Sequence, residues 1–496
     1  MAITRVQTQL GEQDLVYCDY GASGRADPMI EDYISSEVLP FIANTHSESS
    51  LCGQRTGQLR EQSRELIRAA VGASDSHCMM FAGSGTTGAM DLLVRMLAHE
   101  FASQRVEIFI GPYEHHSNDL PWRASAWPVM RCGLDARGHL DLDQLRLQLE
   151  ASGADLKLVS ISAASNVTGI ITDTEQVARI CSEAGAHLIL DCAASAPYLP
   201  LSVQIGEYPV AAMLWSPHKF YGGPGASGVL VVKRQWVPAV PVISGGGTVV
   251  FVSASAHHYV EHLERLHEAG TPNILGDIRA GLVLQRKAEW PAETLTSASL
   301  ELSARMRDRL MAHSDICVLG PAEGDFLPTV SFNLQAKGAL IPYSLVVTLL
   351  SDLYAIQARG GCSCAGPYAH ELLGIDEANS QQLAQLMVAG RLDQRPGWVR
   401  LSLSPTMKAE EVEFVLSAIE QLAGFANEAP WGYQSDGAGQ WFDPNWRRPL
   451  AAPLGEHSDS AVTAQSANST DERLVAAQRW LIERAALARL DIRHSA

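Results

Sequence analysis

The sequence predicts an α/β fold with a large, doubly wound and mostly parallel sheet, a smaller α+β domain and a C-terminal extension. Two observations carry this prediction. From about residue 77, apolar strand-like runs alternate with segments of helical spacing. Several runs end in glycine-rich or polar turns, and parallel sheets bind ligands at the carboxyl ends of their strands. The expected order is 1–75, an N-terminal segment contributing to the small domain; 76–280, the large domain; 281–424, the small domain; and 425–496, the extension.

Composition excludes several classes of protein. The chain has 496 residues, enough for a large core, and its formal net charge of −18 argues against a nucleic-acid or anionic-membrane partner. No apolar run is long enough to span a bilayer, and the first residues lack the apolar core of a signal peptide, so we expect a cytoplasmic protein. Nine scattered cysteines do not indicate a disulfide framework, and the lone Cys362-x-Cys364 pair lacks the partners of a structural zinc site, so no metal is expected.

The chain is organised around Lys219, which stands between two buried strands. Val210–Trp215 is an apolar run, a Ser-Pro turn follows, and a glycine-rich loop leads to a second apolar run, Val229–Val232. A lysine in this position must pair with an anion, lower its pKa, or form a neutral covalent link such as a Schiff base. A surface-turn lysine is the alternative. The neighbouring Ser216 and His218, which suit a phosphate, favour a functional lysine.

A glycine-rich turn, Gly83–Gly88, joins a predicted strand to a predicted helix. The strand is Cys78–Ala82 and the helix is Ala89–Phe101. This order presents backbone N–H groups and the positive end of a helix to an anion, and the hydroxyls of Thr86 and Thr87 can add donors. A purely structural turn is an equally good interpretation of the glycines alone.

Two further strand ends carry polar side chains. His115 follows the strand Val106–Ile110, and His116 stands beside it. Adjacent residues point apart, and no cysteine or carboxylate set accompanies them, so a single ring stacking on a ligand is favoured over a metal site. Asn166 follows the next predicted strand, Leu156–Ile161.

Asp191 stands at the carboxyl end of another buried strand, His187–Leu190. A buried carboxylate is costly unless it meets a cation, and a protonated ring nitrogen would serve; a turn or helix-capping aspartate is the alternative. The preceding helix is expected to open at a capping box, Thr172–Glu175, and to end near Gly185. Five polar features therefore fall at predicted carboxyl ends of strands: the 83–88 turn, His115, Asn166, Asp191 and the His218–Lys219 pair.

The second zone begins with a long helical stretch, 274–312, and predicts a small α+β domain. Its elements are strand Thr329–Leu334, helix Pro342–Asp352, strands Tyr354–Arg359 and Val399–Leu403, and helix Ala409–Leu422. Between the last two strands, the polar, glycine-rich loop Arg359–Pro367 carries Cys362 and Cys364. Flexible polar loops expose thiols, which favours a reactive cysteine over an incidental one.

The extension after Gly424 has its own pattern. It is rich in proline and tryptophan up to about Pro453 and polar from 456 to 470, where we expect a loose linker. A helix capped at Ser469 and running to about Leu490 is predicted to dock by one apolar face, formed by Leu474, Leu481, Ala485 and Ala488.

Together these motifs resemble the class V aminotransferase family, fold-type I enzymes that use pyridoxal 5'-phosphate (PLP), and most closely its cysteine desulfurase branch. The resemblance covers roughly residues 15–424 and rests on several motifs in the family's order. It implies that 76–280 is a PLP-binding domain and that Lys219 is the Schiff-base lysine. It also implies that His115 stacks on the pyridine ring and that Asp191 pairs with the ring N–H⁺. The phosphate would be held by Thr86, Thr87, Ser216 and His218.

The same resemblance implies a substrate and a reaction. Asn166 and Arg400 match positions that hold a substrate carboxylate, and Arg359, just upstream of the cysteine loop, is assigned to the same set. Cys364 matches the persulfide-forming cysteine. L-cysteine would displace Lys219 from the cofactor, and the freed amine would take the α-proton. The Cys364 thiolate would attack the substrate sulfur, leaving a persulfide and releasing L-alanine.

Gly270-Thr271 resembles a loop that reaches the phosphate of the neighbouring subunit, which implies a homodimer with active sites at the subunit interface and, for a persulfide enzyme, a sulfur-acceptor protein. The chain departs from the family at three points: Ala194 replaces the usual Gln, Cys362-Ser363 replaces a more basic pair, and Gly366 replaces a frequent Gln. Rival hypotheses are another class V reaction (a carbon–sulfur or selenocysteine lyase, an amino-acid epimerase or an aminotransferase) and a non-catalytic scaffold. The intact site residues argue against the scaffold. Which of the two loop thiols reacts stays open at this point.

Overall fold

The computed structural model describes residues 4–45, 49–449, 451, 453–455 and 469–494, with side chains up to 487. These fall into two compact units. The large-sheet unit comprises residues 20–299 and 321–327, and the small-sheet unit comprises those up to 19, 300–320 and those from 328 on. The predicted α/β class is confirmed. Among the described residues, no helix is both long and apolar enough to cross a membrane.

The division differs from the expected one, because most of the N-terminal segment belongs to the large-sheet unit. A long helix in this segment, Leu51–Ala70, packs along another helix, Ile274–Ala288. Gly281 permits the close approach, since a Cβ at this position would lie 2.6 Å from the Cβ of Ser63. Only the residues up to 19 join the small-sheet unit, and residues 281–299 stay with the large sheet.

The large sheet has seven strands, and helices pack against it. The spatial order of the strands is His77–Ala82, Gly228–Lys233, Ala212–Trp215, His187–Asp191, Leu156–Ser162, Val106–Ile110 and Val129–Arg131. Neighbouring strands run parallel to each other, with one exception: Gly228–Lys233 is antiparallel to the strands on both of its sides. Two short antiparallel pairs accompany the sheet: Gln204–Ile205 with Tyr208–Pro209, and Val249–Val252 with His257–Tyr259. The strands predicted in this region are all present, and the edge strand Val129–Arg131 was not predicted.

The helices of this unit differ in detail from the predicted ones. They are Pro28–Tyr33, Leu51–Ala70, Gly85–Glu100, Leu120–Ala124, Leu142–Ala151, Thr174–Glu183, Leu263–His267, Ile274–Ala288 and the first part of Ala292–Met311. The helix predicted after the glycine-rich turn begins within that turn, at Gly85. The prediction of a capping box at Thr172 is wrong, because Asp173 caps the helix: its side chain accepts a hydrogen bond from the Gln176 N–H at 3.0 Å. The predicted stretch 274–312 is two helices that separate before Pro291.

The small-sheet unit is built on an antiparallel sheet. Its strands are ordered Ile316–Val318, Thr329–Ala336, Trp398–Ser402 and Arg359–Gly361, with Ala339–Leu340 pairing to the second. Its short pairs are Arg5–Thr8 with Gly11–Asp14, Val16–Tyr17 with Ile356–Gln357, and Gln434–Ser435 with Trp441–Phe442. The prediction of a single strand over Tyr354–Arg359 is wrong. A helix reaches Tyr354, Ala355 takes a left-handed conformation with φ 54°, and two short strands follow.

The helices of the small-sheet unit include two that were not predicted. The set is the rest of Ala292–Met311, Tyr343–Tyr354, Gly366–Leu373, Glu377–Val388, Ala409–Gly424 and Thr470–His494. Gly366–Leu373 ends at Gly374, which has φ 61°, and Glu377–Val388 begins after Asp376, which accepts the Asn379 N–H at 2.8 Å. These are ordinary stop and start signals that are present in the sequence.

The extension packs onto the core of the small-sheet unit. The guanidinium of Arg473 lies 4.1 Å from the centre of the Phe414 ring, and its Nη2 donates to Tyr354 O at 2.5 Å. The predicted docking face of the last helix is confirmed for the described side chains, since Leu481 and Ala485 are buried and Leu474 packs against the core. The predicted linker lies almost entirely outside the described residues, and so does the side chain of Ala488.

Candidate active site

Asp191 is the last residue of one strand of the large sheet, and Lys219 follows the neighbouring parallel strand. Leu214 lies beside Asp191 in the register, and Lys219 ends the short turn Pro217–Lys219 that comes next. Burial raises the pKa of the Asp191 carboxyl, while the Ala193 N–H, 2.8 Å from Oδ1, and the charge of Lys219 act in the opposite direction. A buried carboxylate is stabilised by an adjacent cation, so this sheet edge is built to receive one.

A cradle of donors forms where the glycine-rich turn meets the Lys219 turn. Ser216 Oγ lies 2.9 Å from the Thr86 N–H nitrogen and 3.0 Å from Thr86 Oγ1. Gly85 has φ 61°, and a Cβ there would lie 2.6 Å from His218 Cε1 and 2.7 Å from Ser216 Oγ, so only glycine fits. The structure thus brings Thr86, Ser216 and His218 together at the first turn of the helix Gly85–Glu100. Such a helix start, with its N–H groups and dipole, suits an anion.

Two hydroxyls join His115 to this cradle. Thr87 Oγ1 lies 2.7 Å from Ser117 Oγ, which lies 2.9 Å from His115 Nδ1; the Ser117 N–H also donates to Nδ1 at 3.1 Å. A backbone N–H can only donate, so Nδ1 is an acceptor and the proton of the neutral ring sits on Nε2. The ring is therefore held in one orientation. Among the described residues, no cluster of histidine, cysteine and carboxylate side chains suits a metal ion.

His218 is neutral at physiological pH. Burial, and then the charge of Lys219, lower the pKa of its imidazole to about 4. His218 therefore contributes hydrogen-bonding nitrogens, and no charge of its own, to the cradle.

Asn166 and Thr271 also belong to the large-sheet unit. Asn166 is half-buried in the turn that follows Leu156–Ser162. Thr271 is exposed, and its hydroxyl accepts a hydrogen bond from Asn44 Nδ2 at 3.3 Å. Thr271 also shares the lining of a cavity of about 270 Å³ with two glycines of the glycine-rich turn. Thr271 thus lies near the glycine-rich turn, but none of its described hydrogen bonds joins it to Thr86, Ser216 or His218.

In the small-sheet unit, Arg359 and Arg400 face each other on paired strands and share one carboxylate. Arg359 Nε lies 3.2 Å from Asp19 Oδ2, and Arg400 Nη2 lies 3.0 Å from Asp19 Oδ1. Asp19 and Arg400 are buried, whereas the side chain of Arg359 is 48% exposed. Asp19 thus orients two guanidinium groups, whose forks suit a second, incoming carboxylate.

The cysteine loop of this unit is a tight turn. Cys364 is exposed and Cys362 is half-buried, and the Ala365 N–H donates to Cys362 O at 3.2 Å. Ser363 and Cys364 have φ of 53° and 56°, a region that residues other than glycine rarely adopt. By contrast, burial raises the pKa of the Cys78 thiol in the large sheet to about 12. The predicted exposure of the loop thiols thus holds for Cys364 and in part for Cys362.

The sequence did not single out Glu114, a fully buried carboxyl beside His115. Its oxygens accept from the Ser162 N–H at 2.9 Å, the Ser162 hydroxyl at 2.6 Å and Asn118 Nδ2 at 2.5 Å. Burial raises the pKa of Glu114 to about 7 against the pull of these three donors, and the charge of Asp191 adds to the rise. In the sequence Glu114 looks like any loop carboxylate. Only the sheet register, which pairs Ser162 with Asp191, reveals its place.

Two other residues were missed although the sequence carried a signal for them. Ser117 follows His115 by two residues, a spacing at which serine commonly bonds its local backbone and side chains. Asp19 comes directly after the short strand Val16–Tyr17 and Cys18, the same strand-then-carboxylate pattern that drew attention to Asp191.

The chain is similar to a known protein family over most of its length. The sequence profile of the family described as "Aminotransferase class-V" matches residues 16–415. A probable cysteine desulfurase of Pyrococcus abyssi is 27% identical over 419 residues, which is 83% of this chain and 94% of the relative. The cysteine desulfurase CsdA of Escherichia coli K12 is 25% identical over 410 residues, covering 82% of this chain and 93% of the relative.

The fold is similar as well. The apo structure of a cysteine desulfurase from Thermococcus onnurineus NA1 superposes with a TM-score of 0.67 at 25% identity, covering 83% of this chain and 95% of that one. The part of the chain that the profile leaves unmatched is the N-terminal start and the region after 415, which includes the extension. Since the profile matches most of the chain, this protein belongs to the class-V aminotransferase family.

Proposed function

We propose that this protein is a PLP-dependent cysteine desulfurase, which converts L-cysteine to L-alanine and keeps the sulfur as a persulfide on Cys364. The observation that carries the proposal is the placement of Asp191 at the end of one strand and of Lys219 after the parallel strand beside it, next to the cradle of Thr86 and Ser216. A lysine amine, a buried carboxylate and an anion-binding helix start are the groups that hold PLP. The relatives named cysteine desulfurase, which cover most of this chain, support the same reaction here.

The large-sheet unit fits PLP group by group. Thr86, Ser216 and His218 meet around Gly85, where a side chain would fill the space, and they would hold the phosphate together with Thr87. Asp191 would pair with the protonated pyridine nitrogen. This cation would stabilise the carboxylate, whose pKa is raised by burial. Lys219 would hold the aldehyde carbon. When bound, PLP supplies an electron sink that stabilises negative charge at the α-carbon of the substrate.

The remaining steps belong to side chains of this chain. Lys219 would be the base that takes the α-proton of the substrate. His115, whose Nδ1 is fixed by Ser117, would contribute its ring face to holding PLP. Arg359 and Arg400 would hold the substrate carboxylate, a task to which the resemblance also assigns Asn166. The Cys364 thiolate attacks the substrate sulfur, so that an S–S bond forms, the C–S bond breaks, and its electron pair goes to the carbon that leaves in alanine.

The proposal extends to a homodimer and to a sulfur acceptor. In the large-sheet unit, the hairpin of Val249–Val252 with His257–Tyr259 exposes Val250, Phe251 and Val252. A cluster of exposed apolar side chains of this kind favours a protein contact. The resemblance assigns the exposed Thr271 to the phosphate of a neighbouring subunit. A persulfide on Cys364 in turn requires an acceptor for its sulfur.

A spectrum and a product assay test the proposal. We expect the purified protein to show the visible absorption band of lysine-bound PLP and, given L-cysteine and a reductant, to release sulfide and alanine in equal amounts. Lys219→Ala should abolish the band and lower alanine formation by about 10²–10⁴-fold, because it removes both the attachment point and the base. Cys364→Ala should keep the band and lose sulfide release.

Matched variants control for non-specific damage. Lys233→Ala removes another partly buried lysine of the same unit, and Cys317→Ala removes a half-buried thiol of the small-sheet unit outside the cysteine loop; both should keep the band and the products. A band without Cys364-dependent sulfide would keep the cofactor and point to another class V reaction. Absence of a band even after added PLP would reject the enzyme altogether.

A further inference from the structure

Two thiols stand on one turn of the small-sheet unit, and they differ in their surroundings. Cys364 is exposed, whereas Cys362 is half-buried and touches a cation: Arg395 Nη2 lies 3.6 Å from its Sγ. The Ala365 N–H closes the turn onto Cys362 O, and Ser363 between the thiols has φ 53°. The backbone between the two cysteines is therefore a tight turn and not an extended strand.

Arg395 is itself placed by its neighbours. The pKa of its guanidinium is raised, chiefly by the hydrogen bond to Cys362 and the charge of that thiol, then by Tyr343 and Cys364. Tyr343 lies against the strand that leads into the loop, since a Cβ on Gly360 would fall 2.6 Å from its ring. A permanent positive charge beside a sulfur stabilises the thiolate, which is the nucleophilic form. The Arg395 guanidinium therefore offers a fixed, charged hydrogen-bond donor to the sulfur carried at position 362.

We propose that Cys362 is a second sulfur-carrying thiol, which takes the sulfane sulfur from the Cys364 persulfide and presents it to the final acceptor. This inference rests on the proposed desulfurase function. The Cys362 thiolate attacks the terminal sulfur of Cys364–S–SH. A bond forms between Cys362 Sγ and that sulfur, and the S–S bond of Cys364 breaks. Its electron pair leaves with Cys364 Sγ as a thiolate, so the step needs no outside oxidant or reductant.

The two positions suit the two tasks. Cys364 is exposed, so it can reach the sulfur of a bound substrate and be reloaded after each transfer. Cys362 Sγ lies 3.6 Å from Arg395 Nη2, and we expect this guanidinium to act as a positioning residue that donates a hydrogen bond to the second persulfide. The sulfur would leave from a site that the next molecule of L-cysteine does not need.

Mass mapping of the persulfides tests the relay in the holoenzyme. The protein is loaded with L-cysteine without reductant, trapped with iodoacetamide at successive times, and digested with trypsin. Both thiols lie in one peptide between Arg359 and Arg391, and fragmentation at Ser363 separates them. In the wild type, we expect the extra sulfur first on Cys364 and then on Cys362. Cys364→Ser should leave both positions unloaded, and Cys362→Ser should keep the sulfur on Cys364.

Arg395 variants supply the second readout. Arg395→Gln should slow the transfer from Cys364 to Cys362 by about tenfold or more, as for the loss of a hydrogen bond from a charged donor. Arg395→Lys keeps the charge and should restore much of the rate. Arg391→Gln is the matched control, because Arg391 pairs with Asp393 on the same segment and should leave the transfer unchanged.

Each other outcome overturns the relay. Sulfur that stays on Cys364 in the wild type would make Cys362 a bystander. Sulfur that loads Cys362 in the Cys364→Ser variant would make it the first acceptor. A Cys362–Cys364 disulfide with released sulfide would mean attack on the inner sulfur. If neither thiol is ever loaded and no alanine forms, the proposed function itself fails, and this result is distinct from the other three.

Discussion

The Lys219 region of the large-sheet unit and the cysteine loop of the small-sheet unit are built in opposite ways. Asp191 is buried and Lys219 half-buried, and the hydrogen bonds around them hold buried groups such as Thr86. Cys364 is exposed, and its turn has a left-handed backbone at Ser363 and Cys364. The first region is fixed by its packing, and the second by a few local contacts.

This difference shows where each kind of chemistry can be placed. A group that must keep an unusual charge needs burial, which shifts pKa values of carboxyl and imidazole groups by large amounts. A thiol that must reach the sulfur of an incoming substrate needs exposure instead. Substitutions in the first region should therefore change the charge held at a buried site, whereas those in the second should change reactivity or substrate binding.

Asp191→Asn should give the largest effect and separate activity from stability. Asparagine keeps an oxygen that can accept the Ala193 N–H but removes the charge that would face a protonated ring nitrogen. We expect alanine formation to fall by about 10²–10³-fold, as when one preorganised electrostatic contact is removed. Because burial raises the pKa of Asp191, the neutral variant should unfold no more easily than the wild type without cofactor.

Asp173→Asn is the matched control for this variant. Asp173 caps a helix of the same unit, and asparagine caps a helix equally well, so both activity and melting temperature should stay close to those of the wild type. A loss of stability in Asp191→Asn as large as the loss of activity would assign Asp191 a structural role and weaken the contrast between the two regions.

The same contrast explains what could be predicted from the sequence. The strands of the large sheet and the residues at their ends are local patterns, and Asp191, Lys219 and Thr86 were found in this way. Glu114 was not, because its role depends on a donor from a strand that is 48 residues away in sequence. The helices beside the cysteine loop were missed although Gly374 and Asp376 mark their ends. Arg395 became visible only through its contact with Cys362.

Glu114→Gln should change the pH dependence of stability by about 3 kcal/mol. The pKa of Glu114 rises from 4.5 to about 7 on folding, so between these values the folded state binds more protons than the unfolded state. Stability from this group is therefore present below pH 4.5 and is lost as the pH rises to about 7. The difference in unfolding free energy between wild type and variant, measured by denaturant titration, should fall across this range and level off above it.

A pH-independent difference would instead show that the three donors to Glu114 keep it ionised throughout. Glu107→Gln serves as the control, since Glu107 accepts only from the Ser152 hydroxyl among its described hydrogen bonds and should leave the pH profile of the wild type in place. The two profiles of unfolding free energy against pH measure how far burial shifts the pKa of Glu114 in the first region.

Asp19→Asn should give the smallest effect and test the second region. The variant removes the carboxylate that orients Arg359 and Arg400, but it leaves both arginines in place. We expect KM for L-cysteine to rise about tenfold, as for the loss of a hydrogen bond to a charged group, with a smaller change in kcat. Asp19→Glu, which keeps the charge, should recover part of the loss.

Asp14→Asn is the control, because Asp14 belongs to the same unit and pairs with Arg5 at 3.3 Å on a surface ribbon. Its KM should stay within about twofold of the wild type, as expected for a pair that contributes less than 1 kcal/mol. Equal KM values for Asp19→Asn and Asp14→Asn would mean that the arginines bind the substrate carboxylate without help from Asp19. In that case the guanidinium groups of Arg359 and Arg400 alone would select the substrate carboxylate, and no supporting hydrogen-bond network would be needed.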